Sequence, residues 1–220
     1  MRTVAVLPVK TFPAAKQRLG DSVASADRQE LAAAMAEDVL DALGRVSGLD
    51  AVLVVTAEPR AAAAARAAGA GVVTDPDEAG QSAAARLGVT EAVRQGAERV
   101  LLVPGDCPAL DPAEVAALLS EPAAGVTIVS DRHGSGTNAL LLSPPDAIEP
   151  AFGPGSFARH AALGQAAGAR VRVARLASLE LDVDTPGDLG ALRGTLAAHE
   201  DGAGRTRALL DDHQASPAAL

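Results

Sequence analysis

Short runs of aliphatic and β-branched residues alternate along this chain with Ala-rich stretches of helical period. The runs are Thr3–Val9, Ala51–Thr56, Gly71–Val73, Val100–Val103, Val126–Ser130, Ala139–Leu142 and Val171–Leu176. Several are apolar throughout, as in Val100-Leu101-Leu102-Val103, which is how a strand buried on both faces reads. The stretch from Asp27 to Val46 repeats Leu31, Met35, Val39 and Leu43 at intervals of four, one apolar helical stripe, and Asp27 with Glu30 has capping-box spacing. Further helices are predicted over Pro59–Ala68, over Gln81–Gln95 with Leu87 and Val93 facing inward, and over Pro112–Leu119 behind an Asp111 N-cap. Arg159–Ala167 and Pro186–Ala198 complete the set. Strand–helix–strand repetition implies right-handed crossovers and a three-layer α/β/α, doubly wound, mostly parallel sheet. Two strands between Val126 and Leu142 flank a loop with no helix, so a hairpin and a mixed sheet are expected there. One domain over residues 1–198 follows. The polar stretch 199–220 lacks an apolar stripe and reads as a flexible tail.

Composition narrows the function. The chain has 220 residues, a formal net charge of −9 and 1% aromatic residues, with no Trp and no Tyr. An acidic chain without stacking rings is a poor nucleic-acid binder and is not drawn to an anionic membrane. No apolar run approaches a membrane span or a signal-peptide core, and the single Cys107 excludes an internal disulfide framework. A cytoplasmic protein is the simplest expectation.

Ligands of an open parallel sheet bind beyond the carboxyl ends of the strands, and four segments after strands carry chemistry. The first strand leads into Lys10, Lys16 and Arg18 with no carboxylate until Asp21, a local reversal of sign suited to phosphates. Asp106 follows a buried strand in Pro104-Gly105-Asp106-Cys107-Pro108. In Asp182-Val183-Asp184-Thr185-Pro186-Gly187-Asp188, Thr185 and Asp188 are accounted for as a helix cap, which leaves Asp182 and Asp184 on one face of an extended segment. Carboxylates so arranged with no His or Cys suit Mg²⁺, so Asp106, Asp182 and Asp184 are the candidate metal ligands. Gly134-Ser135-Gly136-Thr137-Asn138 and Gly153-Pro154-Gly155-Ser156 are glycine- and hydroxyl-rich, and the second runs into a helix whose N-terminus suits an anion. Cys107 reads as a small buried thiol. His160, one turn into the helix after Ser156, reads either as packed or as an acceptor contact.

These segments together resemble the guanylyltransferases of deazaflavin (coenzyme F-420) biosynthesis. The resemblance rests on Leu7-Pro8-Val9-Lys10 with Ala15-Lys16-Gln17-Arg18-Leu19, on the Pro104–Pro108 segment, on Gly136-Thr137-Asn138-Ala139-Leu140-Leu141, on Phe152-Gly153-Pro154-Gly155-Ser156-Phe157 with His160, and on Leu181–Leu189. The five segments keep the family's order from Thr3 to about Leu196. The resemblance implies a nucleotide-diphospho-sugar-transferase-like fold and Mg²⁺-dependent condensation of GTP with phosphoenolpyruvate or 2-phospho-L-lactate, releasing pyrophosphate. It implies acceptor contacts from Thr137, Asn138, Gly153, Gly155, Ser156 and His160. It implies nucleotide contacts from Leu7, Pro8, Val9 and Lys10, with Lys10, Lys16 and Arg18 holding the triphosphate. The family commonly carries Leu-Asn before the third long helix. Here Gly80-Gln81-Ser82-Ala83 stands instead, and Gln81 and Ser82 are the nucleotide contacts expected there. The Ala- and Arg-rich composition favours phosphoenolpyruvate as acceptor, with hand-over of the product to the transferase that consumes it. A molybdenum-cofactor or sugar-phosphate nucleotidyltransferase is the rival enzyme, and a nucleotide-sensing module the rival without catalysis.

Overall fold

The computed structural model of the chain describes residues 1–14, 16, 19, 25–122, 125–198 and 201–215. Seven strands form one sheet: β1 Thr3–Val9, β2 Ala51–Thr56, β3 Gly71–Thr74, β4 Arg99–Leu102, β5 Gly125–Ser130, β6 Thr137–Ser143 and β7 Val171–Ala174. Their spatial order is β3-β2-β1-β4-β6-β5-β7. The first four are mutually parallel, β6 runs antiparallel to both β4 and β5, and β7 is parallel to β5. The predicted hairpin is therefore β5–β6, and it makes the doubly wound sheet mixed.

The helices are α1 Ser25–Gly44, α2 Pro59–Ala67, α3 Gln81–Arg94, α4 Pro112–Ser120, α5 Ser156–Ala166, α6 Pro186–Ala198 and α7 Gly204–Ala215. Alternation along each central strand divides the core into two layers. Ala5, Leu7, Leu101 and Val103 face α1, α2 and α4, whereas Val4, Val6, Val100 and Leu102 face α3 and α5. The four-residue stripe of α1 is buried as expected. Val39 and Leu43 pack on the sheet, and Leu31 and Met35 reach a separate cluster built with α6 and α7.

Three expectations change. Leu87 and Val93 are exposed on α3, and the inward residues are Ala84, Ala85, Gly88 and Ala92. The helix lies so near the sheet that a Cβ at position 88 would come within 2.2 Å of Val6 Cγ1 and 2.9 Å of Val55 Cγ2. Only small residues fit beneath it, so the large ones turn outward. The capping box at Asp27 and Glu30 is not formed: α1 begins at Ser25, and the Glu30 carboxylate pairs instead with Arg60 of α2 at 2.7 Å. The third change concerns the end of the chain. Residues 204–215, expected as flexible tail, form α7 against α1. Asp38 of α1, almost fully buried, accepts from the backbone N–H groups of Arg205 (3.2 Å) and Thr206 (2.8 Å). It caps α7 from another helix, a contact across 168 positions that no local pattern announces.

Gly88→Val should overpack the contact between α3 and β1, costing about 1–3 kcal/mol, more than the few tenths of a kcal/mol of helix propensity that Val gains over Gly; urea unfolding measures this. Asp38→Ala should leave the sheet intact but free the start of α7. Amide hydrogen exchange should rise at residues 204–215 well before it rises in β1 or β4.

Candidate functional site

Beyond the carboxyl ends of β1, β3 and β4 lies a cleft of about 470 Å³. Its walls include Pro8 and Val9 at the end of β1 with Lys10 after them, Asp75, Glu78, Gly80 and Gln81 after β3, and Pro104, Gly105 and Asp106 after β4, with Lys16 and Asp184 at the acidic side. Gly105 stands where the loop after β4 approaches α1: a Cβ there would lie 3.4 Å from Ala36 Cβ. The position of Asp106 is set by the next segment, because Val183 N–H donates to its backbone carbonyl at 3.1 Å. That bond straps the Asp106 turn to the irregular segment Asp182–Asp184 that leads into α6.

The Lys16 ammonium donates to Asp106 Oδ2 at 2.6 Å and to Asp184 Oδ1 at 3.3 Å, with its side chain 7% exposed. Burial by itself would lower the pKa of Lys16, but the two carboxylates outweigh it and the ammonium is held above its ordinary value. Asp182 differs. Its Oδ1 accepts from Asn138 Nδ2 at 3.1 Å, and burial, together with the charge of Asp106, raises its carboxyl above the ordinary range. Arg18, the third predicted cation, lies outside the described residues. Lys10 faces the cleft without a hydrogen bond or ion pair among the described residues.

The two glycine loops are built differently from one another. Asp131 organises the first: its carboxylate accepts from the backbone N–H groups of His133, Ser135 and Gly136 at 3.1, 2.9 and 2.9 Å. Those N–H groups are therefore spent inside the loop rather than offered to an anion. In the second loop, Gly155 (φ +71°) is the N-cap and Ser156 the first helical residue, so α5 starts three residues before the predicted Arg159. Ser156 N–H donates to Gly153 and Phe157 N–H to Ser135, which ties the two loops together.

Thr137 and His160 meet beneath these loops. His160 Nε2 accepts from the backbone N–H of Ala151 at 2.9 Å, so its proton resides on Nδ1, 3.0 Å from Thr137 Oγ1. The histidine thus donates to the threonine hydroxyl, whose own proton is left to point elsewhere. His160 is fully buried, with Phe152 edge-on at 5.1 Å, and it reads as the support of Thr137. Asn138 is likewise a support, because its amide nitrogen donates to both Leu179 O (2.9 Å) and Asp182. Of the remaining predicted contacts, Leu7 points into the core and Ser82 Oγ reaches Phe152 O at 3.5 Å, while Gln81 lines the cleft. Cys107 is buried, and burial together with Asp106 pushes its thiol pKa well up, which makes it inert. The Thr185–Asp188 capping box forms as predicted, with Asp188 Oδ2 accepting from Thr185 N at 2.7 Å, and Arg132 also pairs with Asp188. Sequence reasoning missed Asp75, Glu78, Asp131 and Arg132. The Asp131 turn was accessible from its spacing to Gly136, whereas the others depend on long-range neighbours.

The fit of a metal is decided by the donor set. Among the described residues no three His, Cys, Asp or Glu side chains are arranged to hold an ion as they stand. Oxygens of Asp106 and Asp184 nevertheless converge on one ammonium, and Asp182 feels the charge of both carboxylates. All-oxygen donors gathered around a point that holds a cation are the donor chemistry that suits Mg²⁺.

Burial, reinforced by the neighbouring Arg159 charge, depresses His160 to a pKa of about 4. The ring should therefore stay neutral in a histidine NMR titration at pH 6. The unfolded chain takes up this proton first, so stability is complete above about pH 6.5 and should fall as pH drops from there toward 4.

The chain can now be set against known proteins. It is 50% identical over 214 residues to phosphoenolpyruvate guanylyltransferase of Conexibacter woesei, covering 96% of both chains. It is 42% identical over 195 residues to the protein of that name in Sphaerobacter thermophilus, covering 88% of this chain and 94% of the relative. Solved folds agree. A nucleotide-diphospho-sugar transferase structure from Desulfovibrio desulfuricans G20 superposes with a TM-score of 0.77 at 18% identity, covering 98% of this chain and 96% of that one. A CMP:2-keto-3-deoxy-manno-octonic acid synthetase bound to CTP superposes with a TM-score of 0.60 at 16% identity, over 90% and 99%. The expected nucleotide-diphospho-sugar-transferase-like architecture is thereby found. Since the profile of the CofC-like guanylyl transferases also matches residues 3–203, the chain belongs to that family.

Proposed function

We propose that this chain transfers the guanylyl group of GTP to the phosphate of phosphoenolpyruvate, releasing pyrophosphate, in a Mg²⁺-dependent step of coenzyme F-420 biosynthesis. The observation that carries the reading is the Lys16 ammonium held between Asp106 and Asp184 at the edge of a cleft of about 470 Å³. Two anions must be brought together, and the cleft supplies both signs of charge for that task. Lys10 and Lys16 offer ammonium groups to the triphosphate and to the departing pyrophosphate. Asp106 and Asp184, with Asp182 beside them, would hold Mg²⁺, which supplies neutralisation of phosphate charge. Asn138 holds Asp182 in place, so the metal side and the acceptor side are one hydrogen-bonded unit.

On the acceptor side, His160 fixes the Thr137 hydroxyl so that its proton is available to an acceptor oxygen. No general base is needed, because an attacking phosphate oxygen is already deprotonated at neutral pH. In-line attack on the α-phosphorus then asks mainly for alignment and charge stabilisation. The names of the relatives favour phosphoenolpyruvate over 2-phospho-L-lactate as the acceptor, and product passes to the transferase that consumes it.

Incubation with GTP, Mg²⁺, phosphoenolpyruvate and that product-consuming transferase should release pyrophosphate. Absence of turnover with every phosphorylated three-carbon acid would sink the proposal, and nucleotide binding without metal-dependent turnover would point to a sensing module. Asp106→Asn should lower the rate by about 100-fold or more with an unchanged circular dichroism spectrum. An unaltered rate would remove Asp106 from the machinery.

A further inference from the structure

Of the two cleft carboxylates that the reaction chemistry leaves unused, Asp75 and Glu78, one has no hydrogen-bond partner among the described residues. Asp75 follows β3 directly, with its backbone N–H donating to Thr56 O at 3.2 Å. Its residue is 7% exposed, it lines the cleft, and its side chain makes no hydrogen bond or ion pair among the described residues. The residue is packed in, yet its carboxylate oxygens are not sealed from solvent, so they open on the cleft with their acceptor sites free for a ligand's donors. Neighbouring Glu78 has a partner, since its Oε1 accepts from Thr11 N–H at 3.1 Å and braces the cleft mouth.

The position of Asp75 separates it from the Lys16 cluster. In the order β3-β2-β1-β4, Asp75 leaves the first strand and Asp106 the fourth. Three strand spacings amount to about 14 Å, a length that an extended nucleoside triphosphate covers. The walls between are apolar or small, from Pro8, Phe12, Ala32, Ala36 and Ala84, and suit the faces of a base rather than a phosphate.

The geometry points to Asp75 as the residue that selects guanine, by accepting from N1–H and from the exocyclic amine on the base's Watson–Crick edge. The chemistry is asymmetric among bases. Guanine presents two adjacent donors to the two carboxylate oxygens. Hypoxanthine keeps only N1–H. Xanthine replaces the amine with a carbonyl that repels the carboxylate, and adenine presents one donor beside an acceptor. With Phe12 as the sole aromatic side chain on the walls, discrimination falls to such charge-assisted hydrogen bonds. This inference rests on the guanylyl-transfer reading for its choice of nucleotide, but a binding measurement tests it without turnover.

Calorimetric titration of the full chain with GTP, ITP, XTP and ATP, in Mg²⁺, is the experiment. The wild type should bind GTP about tenfold or more tightly than ITP, the scale of one lost hydrogen bond to a charged group, and XTP and ATP more weakly still. Asp75→Asn turns one oxygen into a donor that matches the xanthine carbonyl. It should weaken GTP and strengthen XTP, moving the XTP-to-GTP affinity ratio by about 100-fold. A uniform loss across all four nucleotides would assign Asp75 to the ribose or to general structure and overturn the inference, as would an unchanged profile. Should the variant fail to fold, equal wild-type affinities for GTP and ITP would overturn it on their own, whereas a tenfold gap would uphold it. Preserved nucleotide selectivity without any transfer to phosphoenolpyruvate would defeat the acceptor assignment and leave this one standing.

Discussion

Like charges gathered from the loop after β4 and the segment before α6 repel, and the architecture of this protein turns on how that repulsion is contained. Asp106, Asp182 and Asp184 come from segments 76 positions apart at their nearest, yet the backbone bond from Val183 to Asp106 fixes them side by side. The Lys16 ammonium then answers two of them, and Asn138 answers the third. The strain of the arrangement is visible in Asp182, whose carboxyl is raised by its burial and by its neighbours' charge. The sheet beneath, packed on both faces, is rigid enough to hold the three carboxylates where these bonds place them.

That rigidity has an apolar origin. Each central strand is buried on both faces, so the core exists as two layers that share one backbone, and the strand ends inherit its stiffness. The close approach of α3 at Gly88 extends the same constraint to the cleft wall, since Gly80 and Gln81 open that helix. On the other flank the support is polar. Ala151 N–H, His160, Thr137 and then Asn138 and Asp182 connect a helix, a strand end and the acid cluster through satisfied hydrogen bonds. A buried hydrogen-bonded network of this kind specifies one arrangement rather than several.

The end of the chain repeats this logic on a smaller scale. Leu210 and Ala203 join the cluster of Leu31, Met35, Leu181 and Leu192, while Asp38 satisfies the first N–H groups of α7. The lower half of α1 is thereby covered, and Leu181 and Val183 are buried against it immediately beside the acids. The terminal helix thus backs the wall on which Asp182 and Asp184 stand.

Periodicity and local chemistry along the chain determined a great deal by themselves. The doubly wound sheet, the β5–β6 hairpin, the stripe of α1, and the caps at Asp111 and Thr185–Asp188 all follow from residues close in sequence, because secondary structure and capping are short-range. The acids and cations of the site were legible as chemistry placed after strands. Tertiary structure alone decided what each of them touches. It placed Lys16 between Asp106 and Asp184, turned Asn138 and His160 from expected contacts into supports, reversed the buried face of α3, and folded residues 204–215 onto Asp38. It also brought Asp75, unremarkable in sequence, into the cleft without a partner. Each outcome depends on distances between segments far apart in the chain, and those are set by packing the two core layers together, which no window of local sequence contains.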